Sequence, residues 1–493
     1  MSNDLRTRFQ LQPAGPNVVD AFIVGTYLFA MLLVGWHSRG QSAESFWVAQ
    51  RQYGTGRITI SLVATIFGAS STIGIIGMGY SRGLTAAWWS LIGATALLPF
   101  ALVLAARVRS LNVYTLPDIL KKAFGNQVAV PAAIMIVIAW CGIVAAQMIA
   151  AARLLSSISS LDFSSLLTVV AAVFILYTFW GGQLSVIRTD SWQLALFLGG
   201  LLTCFAVVAL ADQGAPLSGF AAAPSEHLRF PISEQFGWYD LMIFYPLVVG
   251  LPYLVGPDIY SRVFCARDDV VARRSVLFAA AAVIPISFFL ALLGILIRAQ
   301  YPNLAPEAAL PTALGELVPV GLTGLIAAGF LAAIMSSADT TLISASTILS
   351  LNVAGACKPM SRPRQLVLTK VALIGVGLAA WLIAGFQQEI IASLLLGYTV
   401  FVGGVVFPTL ASLYRGRLGI TSTGAMWAVV VGGTTAILGE MHGGDLLRAL
   451  LGSSGNALLG RVLGPRYPSI LPIVLCLIVM LVVSRITRSS QSE

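Results

Sequence analysis

The sequence predicts an all-α polytopic membrane protein of about thirteen transmembrane helices, built around two inverted repeats of five helices, and three observations predict it. Apolar residues make up 57% of the 493 residues and charged residues only 10%, which excludes an ordinary soluble protein of this size. Apolar runs of roughly 20 residues, the length needed to span a hydrocarbon core, recur thirteen times. The second and seventh of these runs carry helix breakers at matching places.

In order, the runs lie near 18–36, 58–80, 83–106, 128–152, 163–180, 190–211, 239–257, 275–298, 321–350, 366–386, 388–413, 419–440 and 469–484. The first follows Arg6 and Arg8 but is too long for the apolar core of a signal peptide. It also contains Asp20, lacks a small-residue cleavage site and closes on His37-Ser38-Arg39, so it reads as a retained span. Residues 1–57 then form an extra N-terminal helix with an inner loop, 58–211 a first five-helix repeat, 212–238 an outer loop, 239–413 a second repeat, and 414–493 two further helices with a cytoplasmic tail. No linker or soluble domain interrupts the array, and the longest loops, near 212–238 and 441–468, are rich in Gly, Pro and Ala.

Threading thirteen spans makes successive loops alternate sides, and the basic residues sort with that alternation. One set of loops holds 19 of the 29 Lys and Arg, among them Arg39, Arg51, Arg107, Lys121, Lys122, Arg188, Arg262, Arg267, Arg362 and Arg485. By the positive-inside rule the N-terminus is outside and the C-terminus cytoplasmic, in an inner or plasma membrane. The net charge of +9 is therefore a topology signal, and no nucleic-acid partner is inferred from it. Cys141, Cys204, Cys265, Cys357 and Cys476 show no paired spacing, and His37, His227 and His442 all fall in expected loops. Neither a disulfide framework nor a His-ligated metal centre is indicated.

The two interrupted runs read Phe67-Gly68-Ala69-Ser70-Ser71-Thr72-Ile73-Gly74 and Tyr245-Pro246-Leu247-Val248-Val249-Gly250-Leu251-Pro252-Tyr253-Leu254-Val255-Gly256-Pro257. Glycine weakens a helix and proline removes a backbone donor, so both spans should open and free carbonyls and N–H groups. Unwound backbone at that depth survives only where it lines a cavity. Each run begins a set of five, and an odd repeat length inverts the second set relative to the first. Broken helices at matching positions of inverted halves point to a site at mid-membrane. A third polar feature is Ala332-Ala333-Ile334-Met335-Ser336-Ser337-Ala338-Asp339-Thr340-Thr341, hydroxyls and one carboxyl inside an otherwise apolar span. Such groups are costly in hydrocarbon and commonly hold an ion or solute on a path through it.

With that segment, Phe46-Trp47-Val48-Ala49-Gln50-Arg51, Leu116-Pro117-Asp118-Ile119-Leu120, Phe124-Gly125, Gly181-Gly182, Thr189-Asp190-Ser191-Trp192-Gln193 and Pro257-Asp258-Ile259-Tyr260-Ser261-Arg262-Val263-Phe264 occur in an order and spacing that resembles the sodium:solute symporter family over nearly the whole chain. The resemblance implies the leucine-transporter-like fold, Na+ as coupling ion, a small-molecule solute as cargo, the lipid bilayer as surroundings and function as a monomer. It also implies a main sodium site at Ala64, Phe67, Ala333, Ser336 and Ser337. A hard monovalent cation suits neutral oxygens from a helix break and from serines, and Ala333 and Ser337, four apart, share a helix face.

The same resemblance places a second ion site at Asp190, Ser336, Asp339 and Thr340, although Asp339 stands where some relatives have a hydroxyl residue. Two carboxyls there either bind sodium more tightly or hold a proton, which keeps H+ coupling as an alternative. The ordinary explanations are an N-cap for Asp190 and, for Asp339, a buried partner for Arg188 or another inner-side base. Solute-binding candidates by position are Gly68, Ser70, Ser71, Thr72, Trp88, Trp89, Trp140, Gln147, Tyr245 and Tyr253. Small hydroxyls and aliphatics around the first break serve a polyhydroxylated sugar poorly. A compact polar head, as in an organic acid or amino acid, fits better. An enzyme is not expected, since no nucleophile–base pair or His/Cys ligand cluster stands out; a membrane solute sensor that keeps the binding site is the remaining alternative.

Overall fold

The structure is a computed structural model that describes residues 17–211, 218–387, 389–440 and 445–489. Arg6, Arg8, His442 and parts of the two long outer loops lie outside the described residues. Among the described residues the only β pairings are two isolated bridges, Tyr53–Ala266 and Ser233–Phe236; everything else is helix, turn or coil.

Eleven helical stretches are long and apolar enough to cross a membrane, and two of them hold more than one crossing. Phe163–Leu210 runs for 48 residues but is interrupted at Gly182, whose φ of 55° and ψ of −174° suit only glycine. The hydroxyls of Tyr177 and Thr189 are 2.8 Å apart across that point, whereas twelve residues of continuous helix would rise about 18 Å. The chain therefore doubles back at Gly182 and makes two antiparallel crossings. Likewise Ser70–Ser110 is divided at Gly83, φ +74°, where the short 3-10 turn Gly83–Ala87 starts. Dividing both stretches brings the eleven to thirteen crossings, one for each apolar run of the sequence.

Both expected breaks are present. The first broken helix runs Thr55–Ile66, leaves helical geometry at Phe67 (φ −85°, ψ 62°), and resumes through a π-helical turn, Ser70–Gly74, into Ile75–Arg82. The second runs Asp240–Gly250 and Leu251–Val255, passes through extended Gly256 (φ −63°, ψ 134°), and resumes as Pro257–Phe264. Proline explains the second break, because its ring disfavours the helical region for the preceding residue and it brings no N–H of its own.

The segment Leu322–Ile348 sits at the centre of the bundle. Its most apolar window is completely buried, against 17% for Val18–His37 at the periphery. It can sit there because small residues let other backbones approach: a Cβ at Gly329 would stand 2.6 Å from the Leu196 carbonyl oxygen, and one at Gly200 3.4 Å from that of Ile326. The hydroxyls and acid of this helix thus face protein on every side rather than lipid.

Candidate ion and solute site

At the first break the helical ladder is redirected. The Phe67 N–H still reaches the Val63 carbonyl at 3.1 Å, but the Ala69 N–H, which a continuous helix would close onto Thr65, is taken by Gln147 Oε1 at 2.7 Å. The Thr65 carbonyl is thereby released from the ladder. Ser337 of the central helix comes up against the same point: a Cβ on Gly68 would lie 2.5 Å from Ser337 Oγ and 2.8 Å from both terminal atoms of Gln147. Ala64, Phe67, Ala333, Ser336 and Ser337 are all buried. The donor set is neutral backbone and hydroxyl oxygen, the chemistry that suits a hard monovalent cation.

Immediately beside it lies a fully buried charged cluster. Asp190 is 0% exposed; its Oδ1 accepts from Ser336 Oγ at 2.6 Å, and its Oδ2 accepts from Ser61 and lies 3.4 Å from Arg262 Nη2. Arg262, also 0% exposed, donates from Nε to Thr65 Oγ1 at 3.1 Å and from Nη2 to the Thr340 hydroxyl. Thr65 and Thr340 pass their own protons to the Ser61 and Ser336 carbonyls, at 2.8 and 2.9 Å. Arg262 thus joins the half-helix Pro257–Phe264 of the second broken helix to the first broken helix, to the central helix and to the helix carrying Asp190.

Three expectations are corrected here. Asp190 is not an N-cap, because the helix beyond Gly182 is already under way when it reaches Asp190, and the carboxylate is spent on side chains. Arg262, grouped by sequence with the inner-loop bases, is buried in the bundle, where it balances an acid. Asp339 is not the partner of Arg188, which is exposed. Its Oδ1 lies 2.6 Å from the Thr178 hydroxyl and its Oδ2 is buried without a partner. The sequence did carry a signal for this cluster: Ser61 and Thr65 on one helix, and Asp258 and Arg262 on another, are polar pairs four residues apart and so share a face.

A cavity lies between the two breaks. Of the ten expected solute-binding residues, Gly68, Ser70, Ser71, Trp140, Gln147 and Tyr253 line it, joined by Asp258, Thr341 and Tyr398, which are not among the ten, and by Ser337. The other four stand away from it. Thr72 donates to the Gly68 carbonyl at 2.7 Å, and Trp88 donates to the Pro231 carbonyl at 2.9 Å while stacking on Phe230. Trp89 packs edge-on against Tyr245, whose hydroxyl accepts from Arg82 Nη2 at 2.6 Å.

Two broken helices in inverted halves, a buried hydroxyl-bearing helix against them and a cavity between the breaks define a secondary transporter of the leucine-transporter-like class. Residues 46–432 match the sodium:solute symporter family, and the chain belongs to that family. It is 25% identical over 468 residues to sodium/myo-inositol cotransporter 2 of Oryctolagus cuniculus, covering 84% of this chain and 68% of that one; for the Mus musculus counterpart, also 25% identical, the shares are 71% and 58%. The sodium/proline symporter of Haemophilus influenzae is 28% identical, with 83% of this chain and 86% of that protein covered. Among solved structures, a substrate-bound, outward-open Na+-coupled sialic acid symporter superposes with a TM-score of 0.79 over 95% of this chain and 98% of its own, at 18% identity, which speaks to the fold alone.

Proposed function

We propose that this protein is a sodium-driven symporter of a small organic solute, with sodium held by Ala64, Phe67, Ala333, Ser336 and Ser337 beside a solute cavity formed between the two breaks. The observation that carries this reading is the meeting of Ser337 with Gly68 at the point where Gln147 draws off the Ala69 N–H. One side chain, Ser337, borders both the ion position and the cavity, so an ion ligated there ties the first break to the central helix and shapes the solute pocket in the same act. Coupling then has a thermodynamic form: sodium and solute each raise the other's affinity by the same factor.

Alternating access would move the helices of residues 58–211 against those of 239–413 about this point, in a monomer whose N-terminus is outside and C-terminus in the cytoplasm of a plasma or inner membrane. A second cation beside Asp190, Ser336, Asp339 and Thr340 is the finer part of the reading. What supports it is the unpartnered buried Oδ2 of Asp339, since Arg262 already serves Asp190 and Thr340. The relatives named above carry solutes as different as myo-inositol and proline. The cavity here is lined by hydroxyls, the Gln147 amide and one carboxylate, Asp258.

Uptake of labelled solutes into proteoliposomes, under an inward sodium gradient, a proton gradient or neither, tests the reading. Wild type should concentrate a solute only with sodium. Ser337→Ala should raise the sodium concentration for half-maximal uptake by roughly tenfold or more, the range expected for losing one ligand to a charged group. Uptake driven by protons alone, or unchanged sodium dependence in Ser337→Ala, would overturn it.

A further inference from the structure

The solute cavity contains one formally charged side chain, Asp258, and no Lys, Arg or His lines it. Asp258 stands in the first turn of the half-helix Pro257–Phe264, just past the second break. Among the described residues no base lies within ion-pairing distance of it; the nearest on its own helix, Arg262, one turn on, is committed to Asp190, Thr65 and Thr340. An acid in an N-terminal turn is favoured by the helix dipole, which explains why a carboxylate is tolerated there. The dipole does not explain why that carboxylate borders the solute space.

Other parts of the lining carry donors. Trp140 is 1% exposed, lines the cavity, and its indole N–H has no partner. Gln147 gives its carbonyl oxygen to the Ala69 N–H, which leaves its amide NH2 as a donor beside Gly68, Ser70 and Ser71. The cavity is therefore polarised: hydrogen-bond donors at the first break, a carboxylate at the second, and the rings of Tyr253 and Tyr398 on the wall. A neutral polyol donates hydroxyls to that carboxylate but brings no countercharge to it. A monocarboxylate has nothing positive to offer Asp258 and is repelled by it.

We propose that the solute is a small amino-acid-like zwitterion, its carboxylate held by Trp140 and Gln147 and its positively charged nitrogen by Asp258, with the aromatic rings adding cation–π attraction. This assignment rests on the symport reading and narrows its cargo, since a simple organic acid is excluded. It also makes Asp258 the residue that sets specificity, because a half-buried carboxylate left without its cation in the cavity costs more than a lost contact to a neutral group.

The test is sodium-driven uptake into proteoliposomes of the common amino acids and glycine betaine. Their nitrogen-free counterparts, cyclopentanecarboxylate for proline and 3,3-dimethylbutanoate for glycine betaine, are run beside them, with pyruvate, glucose and myo-inositol. A zwitterion should be taken up, and its nitrogen-free counterpart should be weaker by roughly tenfold or more, the factor for a lost bond to a charged group. In Asp258→Asn that preference should collapse while the sodium concentration for half-maximal uptake of whatever solute remains stays near the wild-type value, a split that a misfolded variant would not produce. Sodium-driven uptake of pyruvate, glucose, myo-inositol or a nitrogen-free counterpart at the zwitterion's rate overturns the assignment and leaves symport standing, as does an unchanged preference in Asp258→Asn. Absence of sodium-driven uptake for every solute overturns the symport reading and this assignment with it.

Discussion

The two broken helices solve one problem with opposite chemistry. The first opens on glycine and serine and is satisfied by neutral groups: Gln147 takes the Ala69 N–H, Ser337 approaches Gly68, and Thr72 bonds back to the Gly68 carbonyl. The second opens on Gly256 and Pro257 and continues into a half-helix that carries charge, Asp258 toward the cavity and Arg262 toward Asp190. Neutral oxygens suit a hard cation that must leave again, because a site of modest depth releases its ion. Charges suit the tasks of discriminating a solute and fixing helices to one another, since an unpaired charge in a dry interior is severely penalised. On the proposed reading, the first break serves exchange and the second specification.

The charged side should give the largest effect. Arg262→Met leaves Asp190 buried without its cation and should cost about 3–5 kcal/mol, seen as a marked fall in apparent melting temperature in detergent. Asp190→Asn should cost a similar amount by stranding Arg262, whereas the double variant should recover most of the loss, because replacing both members of a buried pair is far cheaper than removing one. Raising sodium should then partly restore Arg262→Met, with Asp190 free to ligate it, and should not help the double variant. Additive losses in the double variant would show that the two residues are not coupled and that the contrast between the breaks is misdrawn.

On the neutral side, Gln147→Leu removes the acceptor of the Ala69 N–H and should cost about 1–3 kcal/mol, the penalty for stranding a buried donor. Gln147→Glu keeps an acceptor for that N–H but buries a charge with no countercharge nearby, so it should restore neither full stability nor uptake. Equal stability in Gln147→Leu and wild type would mean that the break satisfies itself.

Much of this contrast was legible in the residues. The breaks follow from Gly68, Gly256, Pro252 and Pro257, which act locally and so declare themselves in any sequence. Thirteen crossings were countable because apolar length is also local. What stayed hidden was long-range pairing. Arg262 was placed in a loop because hydropathy weighs a charge against its neighbours along the chain, and its partner, Asp190, is brought to it only by the fold. Asp258 likewise lies in a motif of the sequence, and only the fold brings it to the cavity. Trp88, Trp89 and Tyr245 were drawn in by depth alone, yet the structure commits them to one another, to Phe230, to Pro231 and to Arg82.

The smallest expected effect on stability is the sharpest probe of exchange. In Gly68→Ala the atoms nearest the added Cβ are side-chain ends, Ser337 Oγ, which can rotate away, and the Gln147 amide, which can shift while keeping its bond to the Ala69 N–H, so the folded state should lose less than about 1 kcal/mol. Rotation is nevertheless what the ion position cannot absorb, since Ser337 must present its oxygen at the break for a cation to bridge it. Sodium affinity should fall severalfold, read as the sodium dependence of uptake or of thermal protection, while the melting temperature without sodium stays near the wild-type value. Gly256→Ala at the second break should behave in the reverse way, because its Cβ would press on the Pro252 carbonyl and on Asp258 Oδ1, so that solute preference shifts and sodium dependence holds. If instead both alanines disturb ion and solute alike, the two breaks act as one unit, and the division of labour drawn from their residues does not hold.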